Sequence, residues 1–343
     1  MSRERLRELA VQSGPELLLV ALFAASLAFS AWLSPYFLRV TTLFDMTSQF
    51  MELGLMALAM TLVIIMGQID LSVASILALV GVVFGLLSEN GVSLALAIPA
   101  ALALAAVLGM INGWLAVAFR LPALVVTLGT MALYRGIGQI LLGDRSAYGF
   151  PAWFVSIDFR YIPGTPVPLP LVIFAAFAVG FFLLLHRTTF GRLVYAVGNN
   201  AEACRFSGIA VDRLQVAVFT LSGLMSGMAG LMMTSRFASA RWDMASGLEL
   251  DVITTVVLGG TSIFGGRGTI TGTVLALFVI GTLRYGMGLA NVLPQNQSVV
   301  IGLLLILAIL GPETGRAWQA RRRRAAVRKG GELQASKAEV SAR

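Results

Sequence analysis

The sequence predicts an all-α, polytopic membrane protein of about ten transmembrane or re-entrant helices, with both termini cytoplasmic. Three observations carry that prediction. Of 343 residues, 57% are hydrophobic and only 12% charged, and the mean hydropathy is +0.86. A soluble domain is nearer half apolar and a quarter charged, and no soluble fold of this length hides so much apolar surface. Second, segments 15–34, 50–67, 71–87, 92–119, 123–142, 167–185, 214–233, 249–265, 269–290 and 296–312 are apolar and close to the ~20 residues that cross a bilayer. Third, the basic residues are one-sided. With a cytoplasmic N-terminus, the inside segments hold eighteen of the 25 Lys and Arg, and the outside loops hold only Arg39, Arg145, Arg160, Arg236 and Arg241. That bias orients the chain and accounts for the net charge of +8 without nucleic acid.

Residues 1–14 form a basic cytoplasmic segment, and the run after it could imitate a signal peptide. With nine more apolar segments behind it, an uncleaved first span is expected. The membrane-spanning body is 15–312, and its fifth and eighth segments are glycine-broken and readable as re-entrant pairs. Gly143 to Pro166 is an outside loop in which Tyr148, Phe150, Trp153, Phe154, Phe159 and Tyr161 suit an interface anchor. Ser235 to Ser246 is a second outside loop. The tail, 313–343, is basic and poor in apolar residues, so it is expected to be disordered, with Arg321 to Arg324 near anionic membrane lipid.

Most catalytic classes are excluded by count. There is one histidine (His186), one cysteine (Cys204) and two lysines (Lys329 and Lys337), both in the tail. A His/Cys metal cluster, a disulfide framework and a Cys-pair redox motif are ruled out. No lysine follows the glycine spacing of a phosphate-binding loop, so no cofactor is expected to bind directly and any energy source belongs to a partner.

Polar groups inside spans are costly, and each is a functional candidate. Gln68, Asp70, Asn112, Thr127, Arg135, Glu249, Asp251 and Arg284 are the candidates for a substrate path. Asp70 is placed at a short cytoplasmic junction, where it either caps the following helix or contacts substrate. Glu249 and Asp251 open the eighth segment, and capping applies to them too. Arg135 and Arg284 either snorkel outward, pair with those carboxylates, or line the path. The run Val256 to Gly268 is too glycine-rich for a plain span; it either lines a cavity or packs closely against other helices.

The inside loop, 186–213, reads as a short helix on a tether. Asn199 or Asn200 can N-cap residues 201–207, Glu202 suits the first turn, and Gly208 suits the terminating left-handed position. Such a helix makes sense if another protein grips it; otherwise it lies on the lipid.

Four motifs in order, GQIDLS (67–72), PALVVTLGTMALYRG (122–136), FGRLVYAVGNNAEACRFSGI (190–209) and VVLGGTSIFGGRGTITGT (256–273), resemble the ribose, xylose and autoinducer-type permeases of bacterial ABC sugar importers. The resemblance covers roughly 15 to 312, and FASARWDMASG (237–247) looks most like the rhamnose and autoinducer-type branch. It implies a permease pairing with itself or a sister chain, an ATPase with two nucleotide-binding halves that hydrolyses ATP below, and a periplasmic sugar-binding protein above. Gly191, Arg192, Tyr195, Asn199, Asn200, Glu202, Arg205 and Gly208 are then the ATPase-coupling candidates. The chain departs from the family at Gln68, where a second glycine is common, and at Asn199 within Gly198-Asn199-Asn200. An ion-coupled carrier or channel is the rival reading. Against it, Asp70, Glu249 and Asp251 are all placed near interfaces, whereas ion-coupled carriers bury acidic groups at mid-membrane. A membrane enzyme would need catalytic groups clustered in one pocket.

Overall fold

A computed structural model describes residues 14–304 and 306. Residues 1–13 and the 313–343 tail, with the disorder expected there, lie outside the described residues. Among the described residues the chain is helical, with isolated antiparallel bridges only at Ala147 to Ala240 and Tyr161 to Pro168.

The first helix, α1 (Gly14–Leu33), runs beside the late helix α13 (Ile270–Leu289). Next, α2 (Val40–Ser48) bends by 56° into α3 (Met51–Ile65). All 15 residues of α3 are buried. A helix that is apolar on every side belongs in the interior, and α3 is the axis of the fold. It is followed by a turn at 66–72 and by α4 (Val73–Glu89). Within the turn Asp70 and Ser72 are buried, while Gly67 is exposed.

Around α3 and α4 stand α5 (Leu94–Ala118), α6 (Ala123–Leu142), α8 (Leu169–Arg187), α11 (Val211–Phe237) and α13, and both α3 and α4 pack on α11. These five are long and apolar enough to cross a membrane, and the bent pair α2–α3 makes a sixth. Protein covers 67% of the spanning stretch of α11 and 61% of that of α13, against 33%, 28% and 22% for α5, α6 and α8. The first two therefore form the centre and the last three the perimeter.

Two Gly-x-x-x-Gly pairs bring α5 and α11 together. A Cβ at Gly109 would collide with the Phe219 carbonyl and stand 2.9 Å from the Gly223 Cα. A Cβ at Gly113 would stand 2.8 Å from the Val216 Cα, and one at Gly227 would collide with the Ala105 side chain. Lipid supplies no hydrophobic drive between helices, so close backbone approach is what holds such pairs.

The two segments read as glycine-broken differ. The fifth is the continuous helix α6, because Gly129 and Gly136 face open space and glycine in a helix costs only about 1 kcal/mol. The eighth does break. Its helix α12 (Leu248–Leu258) has 11 residues, about 16 Å against a hydrocarbon core of about 30 Å, and Gly260 (φ +87°) begins an irregular stretch to 269.

The ends of the bundle differ in character. One carries α9 (Thr189–Asn199) and α10 (Ala201–Phe206); the other carries α7 (Ala152–Val155) and the loop around it. The aromatics of that loop split in two. Phe150 and Phe154 pack on Phe84 with ring centroids 5.4 and 5.0 Å away, so they plug the bundle. Tyr148, Trp153, Phe159 and Tyr161 are exposed, as interface anchors would be.

Candidate functional site

The segment between α8 and α11 is built by local rules. Gly191 lies at the tight turn from α8 into α9, where a Cβ would collide with the Leu185 backbone. The N-cap Thr188 accepts from Gly191 N at 3.4 Å. Asn199 donates back to the Tyr195 carbonyl at 2.9 Å, leaving Asn200 as the N-cap of α10, its Oδ1 accepting from Ala203 N at 2.9 Å. Glu202 sits in the first turn beside the positive dipole end, and Gly208 adopts φ +80°. Of α10 only Cys204 is buried; Phe206 is 92% exposed and Arg205 pairs with Asp212 at 2.6 Å. Arg192 is also exposed. This is a rigid, capped projection with a free apolar tip.

The projection is joined to the core through backbone. Gly266 N donates to the Ile65 carbonyl at the end of α3 at 2.8 Å. A Cβ at Gly198 would collide with that same carbonyl and stand 2.7 Å from Gly266 N. A Cβ at Gly265 would stand 2.7 Å from the Gly198 carbonyl and 3.0 Å from Gly67 N. The Tyr195 hydroxyl donates to the Gly268 carbonyl at 2.6 Å. The end of α9, the end of α3 and the 259–269 stretch thus meet through close main-chain approach, with the Tyr195 and Asn199 side chains alongside.

Just beyond Gly67 lies a buried polar network. Asp70 Oδ1 accepts from Ser72 N at 2.9 Å and Ser72 Oγ at 2.6 Å, and Oδ2 accepts from Ser222 Oγ at 2.9 Å. Asn112 Nδ2 donates to Ser72 Oγ at 2.7 Å, and the Tyr134 hydroxyl donates to Asn112 Oδ1 at 3.2 Å. Thr127 Oγ1 accepts from Leu71 N at 3.1 Å. The network ties the α3–α4 turn to α5, α6 and α11. Ser222 stands eleven residues into α11, about 16 Å along its axis, so the turn lies deep in the bundle.

The family profile described as branched-chain amino acid transport system / permease component matches residues 42–309. The chain belongs to this permease family. The permease is also 36% identical over 324 residues to the autoinducer 2 import system permease protein LsrD of Escherichia coli (strain K12) and of Shigella flexneri, with 91% of this chain and 98% of each relative covered. No solved structure matches it. It is a multi-pass membrane transport component, not an ATPase.

Of the candidate path residues, the permease brings Asp70, Asn112 and Thr127 together. Gln68 does not join them; its N–H donates to the Val63 carbonyl at 3.1 Å, closing the end of α3. The capping reading of Asp70 is half right: it accepts from Ser72 N, while Ser72 itself occupies the N-cap position. At the other end, Arg284 pairs with Asp251 at 2.6 Å. Arg135 pairs with neither carboxylate; it donates to the carbonyls of Trp242 and Met244 at 2.8 and 2.7 Å. The Glu249 Oε2 is buried without a hydrogen-bond partner.

Sequence reasoning passed over Glu52. It is 1% exposed, and its Oε1 lies 3.3 Å from Arg236 Nη2. Asp158, in the loop after α7, is also buried. Burial pushes its carboxyl up to about 7, helped by the charge of Glu52 and opposed by Arg236. Only the lone charge within the apolar run 50–67 could have flagged Glu52. Among the described residues no three His, Cys, Asp or Glu side chains gather as a metal site.

Proposed function

We propose that the chain is the membrane-spanning subunit of an ATP-driven, binding-protein-dependent importer in the bacterial inner membrane. Its cargo is a small sugar or sugar-like solute: a pentose, a deoxyhexose such as rhamnose, or an autoinducer-type molecule. The observation that carries the reading is the α9–α10 projection, exposed at its tip and fused by glycine contacts to the α3–α4 turn. A partner ATPase with two nucleotide-binding halves grips it, the residues at the grip being Arg192, Glu202 and Arg205. Tyr195, Asn199, Asn200, Gly191 and Gly208 set its geometry. ATP closes the two halves, α9 moves, and the Asp70 turn moves with it. A periplasmic binding protein delivers solute at the opposite end. About ten spans with both termini cytoplasmic, and pairing with itself or a sister permease, complete the assembly. The import function in the name of the relatives supports the direction.

A second reading, a carrier driven by an ion gradient, is favoured by Asp70 and Glu52, which are 0% and 1% exposed. Uptake by cells expressing the complete system separates the two. Under the importer reading, uptake of radiolabelled rhamnose or ribose needs ATP and survives a protonophore. Uptake that collapses with the proton gradient while ATP remains would assign the chain to the carrier class.

A further inference from the structure

At the end opposite α9–α10, a cavity of about 310 Å³ opens between the α2–α3 corner and the last turns of α13. Its polar lining is Gln49, Arg284, Tyr285 and Gln297, and the ring of Phe50 forms one wall. The ring meets Phe278 edge-to-face at 5.6 Å, and it packs close on α13 because residue 281 is glycine, where a Cβ would collide with it. Arg284 Nη2 donates to Asp251 Oδ2 at 2.6 Å, which offsets the guanidinium charge, and its Nε is buried without a partner. Gln297 Nε2 donates to the Val292 carbonyl at 2.9 Å, which fixes the amide with its oxygen unspent.

A wall of this kind offers donors and acceptors, an aromatic ring and a guanidinium whose charge is offset by Asp251. Few, convergent polar groups on an apolar wall are what small-molecule sites present, and the volume is at the low end of the roughly 300–1,000 Å³ such sites span. Hydroxyl groups both donate and accept, so the complementary ligand is neutral, polyhydroxylated and of monosaccharide size. An anion would find its guanidinium already engaged. We propose that this cavity is a solute-receiving subsite, which holds such a molecule through Arg284, Tyr285, Gln49, Gln297 and Phe50 before it passes inward. The proposal rests on the importer reading and adds to it the place and chemistry of the first contact.

Gly288 lines the cavity, and no atom lies within 4 Å of where its Cβ would stand. Gly288→Leu therefore fills the space without displacing backbone. The test is saturation-transfer NMR on the full chain in lipid nanodiscs, with L-rhamnose and D-ribose as probes, beside ATP-driven uptake by the complete system. The wild type transfers saturation to at least one sugar. Gly288→Leu lowers both the transfer and the uptake about tenfold, equivalent to about 1.4 kcal/mol, and Gly288→Ala changes them little. Transfer and ATP-driven uptake that persist in Gly288→Leu overturn the subsite and leave the importer reading standing. Absence of transfer from the wild type to either sugar overturns it too, and a sugar phosphate that displaces both at lower concentration overturns the neutral assignment. Uptake insensitive to ATP instead overturns the importer reading.

Discussion

Gly198→Val is expected to cut transport sharply while the protein still inserts and stays monodisperse in mild detergent. Gly198 is required for space, not for backbone freedom. A Cβ there would collide with the Ile65 carbonyl and stand 2.7 Å from Gly266 N, and both are main-chain groups that cannot swing aside. The added side chain pushes α9 off the end of α3 and off the 259–269 stretch. Since α9 packs at one end of the bundle, the core around α3 and α11 survives. Transport loses the coupling between the projection and the Asp70 turn. Typical coupling free energies of about 1–3 kcal/mol set the expected fall in ATP-driven uptake at roughly 5- to 150-fold. Gly208 makes a useful contrast. It has φ +80° and no atom within 4 Å of a Cβ, so Gly208→Ala costs only the left-handed strain of about 1–2 kcal/mol. Normal uptake by Gly198→Val at wild-type membrane levels would break the proposed link.

The second large effect is on stability. Asp70→Ala is expected to destabilise the folded protein by about 3 kcal/mol or more, because a buried donor left without its partner costs about 1–3 kcal/mol. Three donors lose their acceptor: Ser72 N, Ser72 Oγ and Ser222 Oγ. The Ser72 hydroxyl cannot simply turn away, since its oxygen already accepts from Asn112. Asp70→Asn keeps the shape and one carbonyl oxygen for Ser72, and Ser222 Oγ can turn to accept from the new amide. Its cost is expected near 1 kcal/mol. Thermal or denaturant unfolding in detergent reads the difference, and a double-mutant cycle with Ser222→Ala should be strongly non-additive. Equal stability of Asp70→Ala and wild type would mean that the network does not hold the turn.

The features legible in the sequence are those set by near neighbours. An asparagine cap at 199 or 200, Glu202 in the first turn and Gly208 at the left-handed stop follow from the chemistry of one short helix; the cap is Asn200, and the other two stand so. The break after Leu258 was visible because Gly259 and Gly260 interrupt a short apolar run. Depth was not visible. Asp70 reads as a junction between spans because it follows an apparent span, yet the turn that carries it is enclosed by α5, α6 and α11, whose Asn112, Thr127 and Ser222 bond to it. Partners across helices were hidden for the same reason: nothing near Asp70 in sequence announces Ser222 or Tyr134. Glu52 was masked by its apolar neighbours, and Arg236 shows its meaning only when α11 is laid against α3. The glycines at 265 and 266 stood out by composition, but their reason, shared with Gly198, is a close approach of three main-chain segments that no local rule contains.

The central claim is that the α9–α10 projection is the grip of a separate ATPase. The most direct test is gentle purification of the full chain from native membranes, with mass spectrometry of what accompanies it, for the wild type and for a variant carrying Phe206→Glu at the exposed tip. A soluble ATPase with two nucleotide-binding halves is expected beside the wild type, and its loss from the Phe206→Glu sample while any sister permease remains. A chain that emerges alone under several mild detergents, or an ATPase retained equally by both samples, would contradict it.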